Sequence, residues 1–177
     1  MKKHLLTIVC ILCISFVNAQ ESNDPQKGQT TFGFKAGLNQ SYLNTSSDNG
    51  YEGLELYAGF FAETSLSKKW SFQYELLYSY TDDINFLEIP LLFKYHLNDK
   101  LAFMAGPKLD VVANKSIEGA LYVPLSVSFS LGVQYNISRH FFVEGRYGLG
   151  LSNELITNGN SETFGRNTLR LGIGLKF

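Results

Sequence analysis

The chain has little cysteine and proline, a single tryptophan and no basic excess. Its two cysteines, Cys10 and Cys13, both lie in the first 19 residues, and neither follows the small residue that lipoprotein cleavage requires. Removal of that segment leaves no thiol, which excludes disulfides, thiol nucleophiles and thiolate metal sites. The 15 Lys and Arg residues do not outnumber the 16 Asp and Glu residues, so no nucleic-acid partner is expected. No apolar run reaches the roughly 20 residues of a transmembrane helix.

The first 19 residues are typical of a cleaved signal peptide. Lys2 and Lys3 form the basic start, and residues 5–16 are apolar. Residues 17–19 end with the small residue Ala19, and we expect cleavage between Ala19 and Gln20. A membrane anchor is the alternative, but this apolar run is too short to span a bilayer. Without Lys2 and Lys3, 13 basic side chains face 16 acidic ones, a net charge of −3. The pattern predicts export.

Aromatic residues and glycine are abundant: 14 Phe, 10 Tyr and 16 Gly against 4 Pro, which favours strands over helices. The last eleven residues, 167–177, show the strand pattern most clearly. One parity is apolar and the other is polar or small, as in a ribbon with two unlike faces. The apolar parity consists of Leu169, Leu171, Ile173, Leu175 and Phe177. Such a strand, ending on an aromatic residue in an exported chain, is typical of the closing strand of an outer-membrane β-barrel.

The same two-residue period predicts eight strands and hence an all-β, antiparallel, up-and-down transmembrane barrel. We expect residues 20–29 to form a polar periplasmic tail and residues 30–177 to form the barrel domain. The predicted strands are about 30–39, 53–64, 70–80, 86–97, 101–112, 125–137, 141–151 and a last one ending at 177. Connections after the second, fourth and sixth strands are short, and most of the others are longer, as in outer-membrane barrels. An even strand number places both ends of the barrel at the short-turn rim.

All charged residues within the predicted strands fall on one parity. This parity carries Lys35, Glu55, Glu63, Glu75, Glu88, Lys94, His96, Lys108, Asp110, Glu144, Arg146, Arg170 and Lys176. A lipid-facing charge near the bilayer midplane costs about 2–4 kcal/mol, which explains this segregation. The alternative is a secreted soluble barrel of the lipocalin kind, with the apolar face inward. An eight-stranded barrel has little interior room, and small glycines share the charged parity, so we favour the membrane barrel.

A narrow lumen holds little water, so charges inside it must pair. We therefore predict a polar network that plugs the lumen, with an ion path as the alternative. Its members are Glu75, Glu88, Lys94, Lys108, Asp110, Glu144, Arg146 and Arg170.

Hairpin register suggests which of these residues are neighbours. Pairing of residues 97 and 101 places Glu88 opposite Asp110 and diagonal to Lys108. Pairing of residues 80 and 87 places Glu75 diagonal to Lys94.

Pro90 lies inside the fourth predicted strand, almost opposite Pro107 in the fifth. Because proline lacks a ladder donor and a closed barrel has no edge, we predict a bulge or a missing ladder bond between these strands.

Catalysis has little support. His4 lies in the leader, His140 in a short turn, and His96 on the lumen parity without a recognisable Ser or Asp partner at its rim. Residues 47–50 and 82–83 lack the spacing of a calcium loop. No phosphate-binding loop or histidine cluster is present, so neither a cofactor nor a metal is expected.

The segment 86–95, Phe-Leu-Glu-Ile-Pro-Leu-Leu-Phe-Lys-Tyr, resembles the PorT-like outer-membrane β-barrel proteins of Bacteroidota. Its core is the motif Leu87, Glu88, Ile89 and Pro90. Segments 33–39, 72–78, 105–107 and 146–151 are similar too.

The resemblance implies an OmpA/OmpX-like barrel and a non-enzymatic role in envelope structure, surface interaction or protein secretion, with which the founding member is associated. We also expect a monomer in outer-membrane lipid, assembled by the barrel-assembly machinery, because the terminal aromatic Phe177 resembles the signal that this machinery reads. Envelope or secretion proteins are the expected partners. A small porin-like channel for ions or solutes is the alternative.

Overall fold

The computed structural model describes residues 27–44, 51–80, 85–113, 121–122, 125–152, 154–157, 160–163 and 165–177. In this part of the chain no helix is long and apolar enough to cross a membrane. The strands are β1 (Thr30–Asn44), β2 (Tyr51–Ser65), β3 (Trp70–Tyr80), β4 (Phe86–His96), β5 (Leu101–Val112), β6 (Leu121–Tyr122), β7 (Leu125–Asn136), β8 (Phe141–Ser152), β9 (Glu154–Thr157), β10 (Asn160–Thr163) and β11 (Gly165–Lys176).

Eight strands form a closed antiparallel barrel in the order β1-β11-β8-β7-β5-β4-β3-β2. Each strand pairs with the neighbouring long strands in the chain, and β1 closes the barrel by pairing with both β2 and β11. The predicted up-and-down topology is therefore confirmed. Predicted and observed bounds agree for β3 and β5, whereas β1 extends further, to Asn44.

Three short strands form a second sheet, in the order β10-β9-β6. They lie in the connections between β5 and β7 and between β8 and β11, which sequence reasoning treated as loops. Leu121 pairs with Ile156 and Tyr122 with Leu155, so the two connections are joined by backbone ladders at the long-loop rim.

The two faces of the barrel differ sharply in chemistry. Large apolar side chains on the outer face are exposed, for example Leu56 (61%), Phe60 (64%) and Leu171 (63%). In contrast, Lys35 and Lys94 on the inner face are wholly buried. An outer face of this kind requires lipid, so the structure excludes the lipocalin-like alternative, in which the apolar face points inward.

Glycines on the inner face leave room for aromatic rings. A Cβ at Gly174 would lie 2.1 Å from the Phe142 ring, and one at Gly33 would lie 2.2 Å from the Phe61 ring. The Phe61 and Phe142 rings meet edge to face, with centroids 5.6 Å apart. These glycines are thus required by the close packing inside a narrow barrel, as their parity suggested.

The two strand prolines interrupt the ladders on either side of β4. Between β3 and β4 the paired residues skip Pro90 and its neighbour Ile89. Between β4 and β5 the paired residues skip Leu91 and Leu92, which face Pro107 and Gly106. The register is unchanged across both gaps. Within these described strands the predicted missing ladder bond is therefore present and the predicted bulge is not, while the β3–β4 gap was not predicted.

Three four-residue turns, 66–69, 97–100 and 137–140, lie at one rim. The second residue of each turn accepts, through its side chain, a hydrogen bond from the amide three residues later: Ser67 Oγ from Trp70, Asn98 Oδ1 from Leu101 and Ser138 Oγ from Phe141. Ser and Asn stabilise tight turns in this way. The amide of Phe177 donates to Phe32 O at 3.0 Å, which places both ends of the barrel at this short-turn rim.

Candidate functional site in the barrel lumen

The lumen holds three layers of charged side chains. The central cluster comprises Lys35, Glu75, Glu144 and Arg146. Arg146 donates two hydrogen bonds to Glu75, Nη1 to Oε2 at 2.8 Å and Nη2 to Oε1 at 2.6 Å, and a third to Glu144 at 2.7 Å. Lys35 Nζ lies 2.6 Å from Glu75 Oε1 and 3.1 Å from Glu144 Oε1. Two acids and two bases leave this cluster neutral.

The outer cluster lies towards the long-loop rim. It comprises Glu55, Glu88, Lys108, Asp110, Arg166 and Arg170. Arg166 bonds to Glu55 and reaches Glu88 at 3.3 Å and Asp110 at 3.2 Å. Arg170 Nη2 lies 2.6 Å from Glu88 Oε2, and Lys108 Nζ lies 3.0 Å from Asp110 Oδ1. Three acids and three bases leave this cluster neutral too.

The rim cluster comprises Glu63, Lys94, His96 and Lys176, close to the short turns. Lys94 Nζ donates to three oxygens, Glu63 Oε2 at 2.8 Å and the amide oxygens of Gln73 and Gln134, both at 2.9 Å. A buried ammonium has three protons to place, and these three acceptors satisfy all of them. Lys176 is more distant, 3.8 Å from Glu63.

His96 has neighbours that sequence reasoning did not identify. Ser71 Oγ lies 2.9 Å from His96 Nε2 and donates to Glu63 Oε1 at 2.6 Å. Glu63 Oε1 lies 3.2 Å from the same Nε2. In a serine hydrolase triad the acid holds the opposite ring nitrogen, and the serine must reach substrate. Here the acid and the serine share one nitrogen and Ser71 is buried, so the arrangement suits a lumen hydrogen-bond network rather than nucleophilic attack.

All eight residues of the predicted network are buried in the lumen, and each lies within 4.0 Å of an opposite charge. Their ion pairs divide them among the three clusters, and Gln73 links the rim cluster to the central one, since it accepts a hydrogen bond from Lys94 and donates one to Glu75. Six members of the three clusters were missed: Lys35, Glu55, Glu63, His96, Lys176 and Arg166. The first five were on the charged parity but outside the chosen set. Arg166 lies just before the strand pattern of residues 167–177, although it shares the parity of Thr168 and Arg170 in β11.

One of the two predicted registers is right and the other is wrong. Glu88 opposes Asp110, as predicted. Leu87, however, opposes Tyr78 rather than Tyr80, so Glu75 is not diagonal to Lys94. Residues 97–100 form a tight turn that fixes the β4–β5 register, whereas the longer β3–β4 connection leaves its register open.

The remaining predicted positions lie on β4 and at the end of the barrel. Within the motif, Glu88 belongs to the outer cluster, Pro90 is buried on the same face, and Leu87 and Ile89 lie on the outer face. The ring of Phe177 is 70% exposed, at the short-turn rim.

A closed eight-stranded barrel with a lipid-compatible exterior and a charged, buried interior defines an integral outer-membrane protein. Residues 9–177 match the family model described as the outer membrane protein beta-barrel domain, and the chain belongs to this family. No curated protein matches the sequence.

Three solved structures illustrate the shared fold. Ail, the attachment invasion locus protein of Yersinia pestis, is 12% identical, with 85% of this chain and 99% of that chain covered and a TM-score of 0.53. Neisserial surface protein A is 13% identical, with 84% and 99% covered and a TM-score of 0.51. A de novo designed transmembrane β-barrel is 15% identical, with 87% and 99% covered and a TM-score of 0.51. At these identities the likeness concerns the fold alone.

Proposed function

We propose that this protein is a non-enzymatic outer-membrane barrel with a plugged lumen, which acts through its long loops or its short-turn rim. The observation that carries the proposal is the set of ion pairs that cross the lumen. In the barrel order, β8 and β3 are four strands apart, as are β11 and β4. Arg146 on β8 bonds to Glu75 on β3, and Arg166 on β11 bonds to Glu88 on β4. Each pair therefore joins opposite walls of the barrel.

Burial supports the same conclusion. Lys35, Gln73, Glu88, Lys94 and Gln134 have no accessible surface, although all face the lumen. The side chains that line a conducting pore must contact water along its length. These side chains bond to other side chains of the lumen instead, and the central and outer clusters are neutral, as a dry interior requires.

Conductance in planar bilayers tests the plug. We expect the purified wild-type barrel to give little steady current. The test variant is Arg146→Ala, which removes a buried lumen charge, and its matched control is Arg139→Ala, which removes an exposed charge in a turn. A large, steady wild-type conductance would contradict the proposal. If Arg146→Ala then changed ion selectivity without loss of stability, the small porin-like channel would be the better interpretation.

The finer role we propose is in envelope structure, surface interaction or protein secretion, after export by a cleaved signal peptide. The resemblance of the Leu87–Pro90 motif to PorT-like proteins of Bacteroidota supports this proposal. The secreted and surface-bound proteins of a deletion strain, compared with those of the complemented strain, would test it. Unchanged secretion and unchanged surface composition would contradict it.

A further inference from the structure

The short-turn rim is strongly basic. The exposed cations there are Lys27, Lys68, Lys69, Lys100 and Arg139. Across the three turns the only acid is Asp99. Within the described residues, none of these five cations takes part in an ion pair. By sequence, the four connections at the opposite rim carry six acids and a single Lys, so the positive charge belongs to one end of the barrel.

A groove of about 470 Å³ lies at this basic rim, between the β2–β3 and β4–β5 turns. Its lining includes Lys68, Lys69, Trp70, His96, Leu97 and Asp99. The two lysines supply positive charge, while Trp70 and Leu97 are about half exposed, at 48% and 52%. Trp70 also packs against Tyr95 on the outer face, with ring centroids 5.0 Å apart. The groove is therefore cationic on one side and apolar on the other.

We propose that this groove binds an anionic phospholipid of the leaflet at the short-turn rim. Lys68 and Lys69 are placed to meet the phosphate, and Trp70 and Leu97 to contact the glycerol and the first acyl carbons. Short turns face the periplasm in outer-membrane barrels, so the lipid belongs to the periplasmic leaflet. Aromatic side chains mark the boundary of the apolar band, which sets the groove at headgroup depth. A soluble anion would use the lysines but not the exposed apolar wall.

The single Trp of the chain lies in this groove and provides the readout. The barrel is reconstituted in vesicles of phosphatidylcholine that contain a minor fraction of dibrominated phosphatidylglycerol, whose bromines quench nearby Trp fluorescence. In the wild type we expect quenching well above that given by the same fraction of dibrominated phosphatidylcholine. Lys69→Gln should lower the preference for phosphatidylglycerol about fivefold, because this is the usual contribution of one basic residue to binding at an anionic surface. The double variant Lys68→Gln/Lys69→Gln should abolish the preference.

Arg139→Gln is the matched control, because it removes one exposed cation from the β7–β8 turn, on the opposite side of the same rim. It should leave the lipid preference unchanged. Equal losses in Lys69→Gln and Arg139→Gln would overturn the site in favour of diffuse rim charge. Equal quenching by both brominated lipids in the wild type would overturn it outright. Displacement of phosphatidylglycerol by millimolar inorganic phosphate would identify a soluble-anion site and overturn the lipid assignment.

Discussion

At the scale of single residues, the buried arginines of the lumen are stabilised by carboxylates and by aromatic rings. The arginines of the central and outer clusters direct Nη atoms at carboxylates. Two of them also lie over aromatic rings: Arg170 is 4.2 Å from the centre of the Tyr57 ring, and Arg166 is 3.9 Å from the centre of the Phe86 ring. Within the described residues, Nε of Arg146 and of Arg170 has no hydrogen-bond partner. The geometry thus favours the Nη–carboxylate pairs at the expense of Nε, because charge-assisted bonds are the stronger ones.

Arg146→Ala should lower the free energy of unfolding by about 3–5 kcal/mol, because it leaves Glu75 and Glu144 buried with only Lys35 to compensate them. Denaturant titration in detergent or lipid, followed by heat-modifiable gel mobility, measures this loss. Arg139→Ala is the control: its side chain is exposed in a turn, and the change should stay within about 0.5 kcal/mol. Equal stability of the two variants would contradict a buried, mutually dependent network.

Gly174→Ala tests the packing of aromatic rings over glycines. The new methyl group would lie 2.1 Å from the end of the Phe142 ring, so overpacking should cost about 1–3 kcal/mol. The double variant Gly174→Ala/Phe142→Leu should be less destabilised than the sum of its two single variants, since the smaller side chain leaves room for the methyl group.

Gly145→Ala is the matched control in this experiment, since its nearest neighbour would be an ordinary 3.7 Å away. A neutral Gly174→Ala would show that the Phe142 ring moves aside without cost. A destabilised Gly174→Ala with strictly additive effects in the double variant would show that the Phe142 ring is not what the methyl group meets.

At the scale of strands, the two-residue period was enough to predict which side chains face the lumen. It was not enough to predict which residues of non-adjacent strands meet across the lumen. Parity alone identified the lumen face, because a charge on the lipid face is so costly. A tight turn fixed the Glu88–Asp110 register. The pairs between β8 and β3 or between β11 and β4 were out of reach, because strands that share no ladder meet only through the closed barrel. The small sheet of β6, β9 and β10 was missed because strands of two to four residues leave no periodic signal.

The end of β11 gives a prediction about assembly. The backbone of Phe177 is held by Phe32 O, but its ring is 70% exposed and stabilises the folded barrel little. Phe177→Ala should therefore refold normally from denaturant into detergent, yet accumulate poorly as a folded barrel in cells, because the terminal aromatic is expected to be read by the assembly machinery. Heat-modifiable mobility of purified and cellular protein separates the two effects. Normal cellular levels would count against an assembly signal.

At the scale of the whole molecule, charge is arranged along the barrel axis. The short turns are basic, the central and outer lumen clusters are neutral, and the connections at the opposite rim carry mainly acids. Neutral layers allow the interior to stay dry, while the oppositely charged rims give the barrel a direction. An orientation with the basic rim towards the periplasm agrees with the short turns found there in outer-membrane barrels.

Cysteine labelling in intact cells tests this orientation, since the barrel itself contains no cysteine. Ser161→Cys in β10 lies on the long-loop side, and Ser138→Cys lies in the β7–β8 turn on the basic side. A membrane-impermeant maleimide should label Ser161→Cys in intact cells, and Ser138→Cys only after the outer membrane is permeabilised. Ser138→Cys replaces the hydroxyl that accepts a hydrogen bond from the Phe141 amide, so heat-modifiable gel mobility is measured for both variants to show that each barrel is folded before labelling. Labelling of Ser138→Cys in intact cells, with protection of Ser161→Cys, would invert the barrel and remove the proposed lipid groove from the periplasmic leaflet.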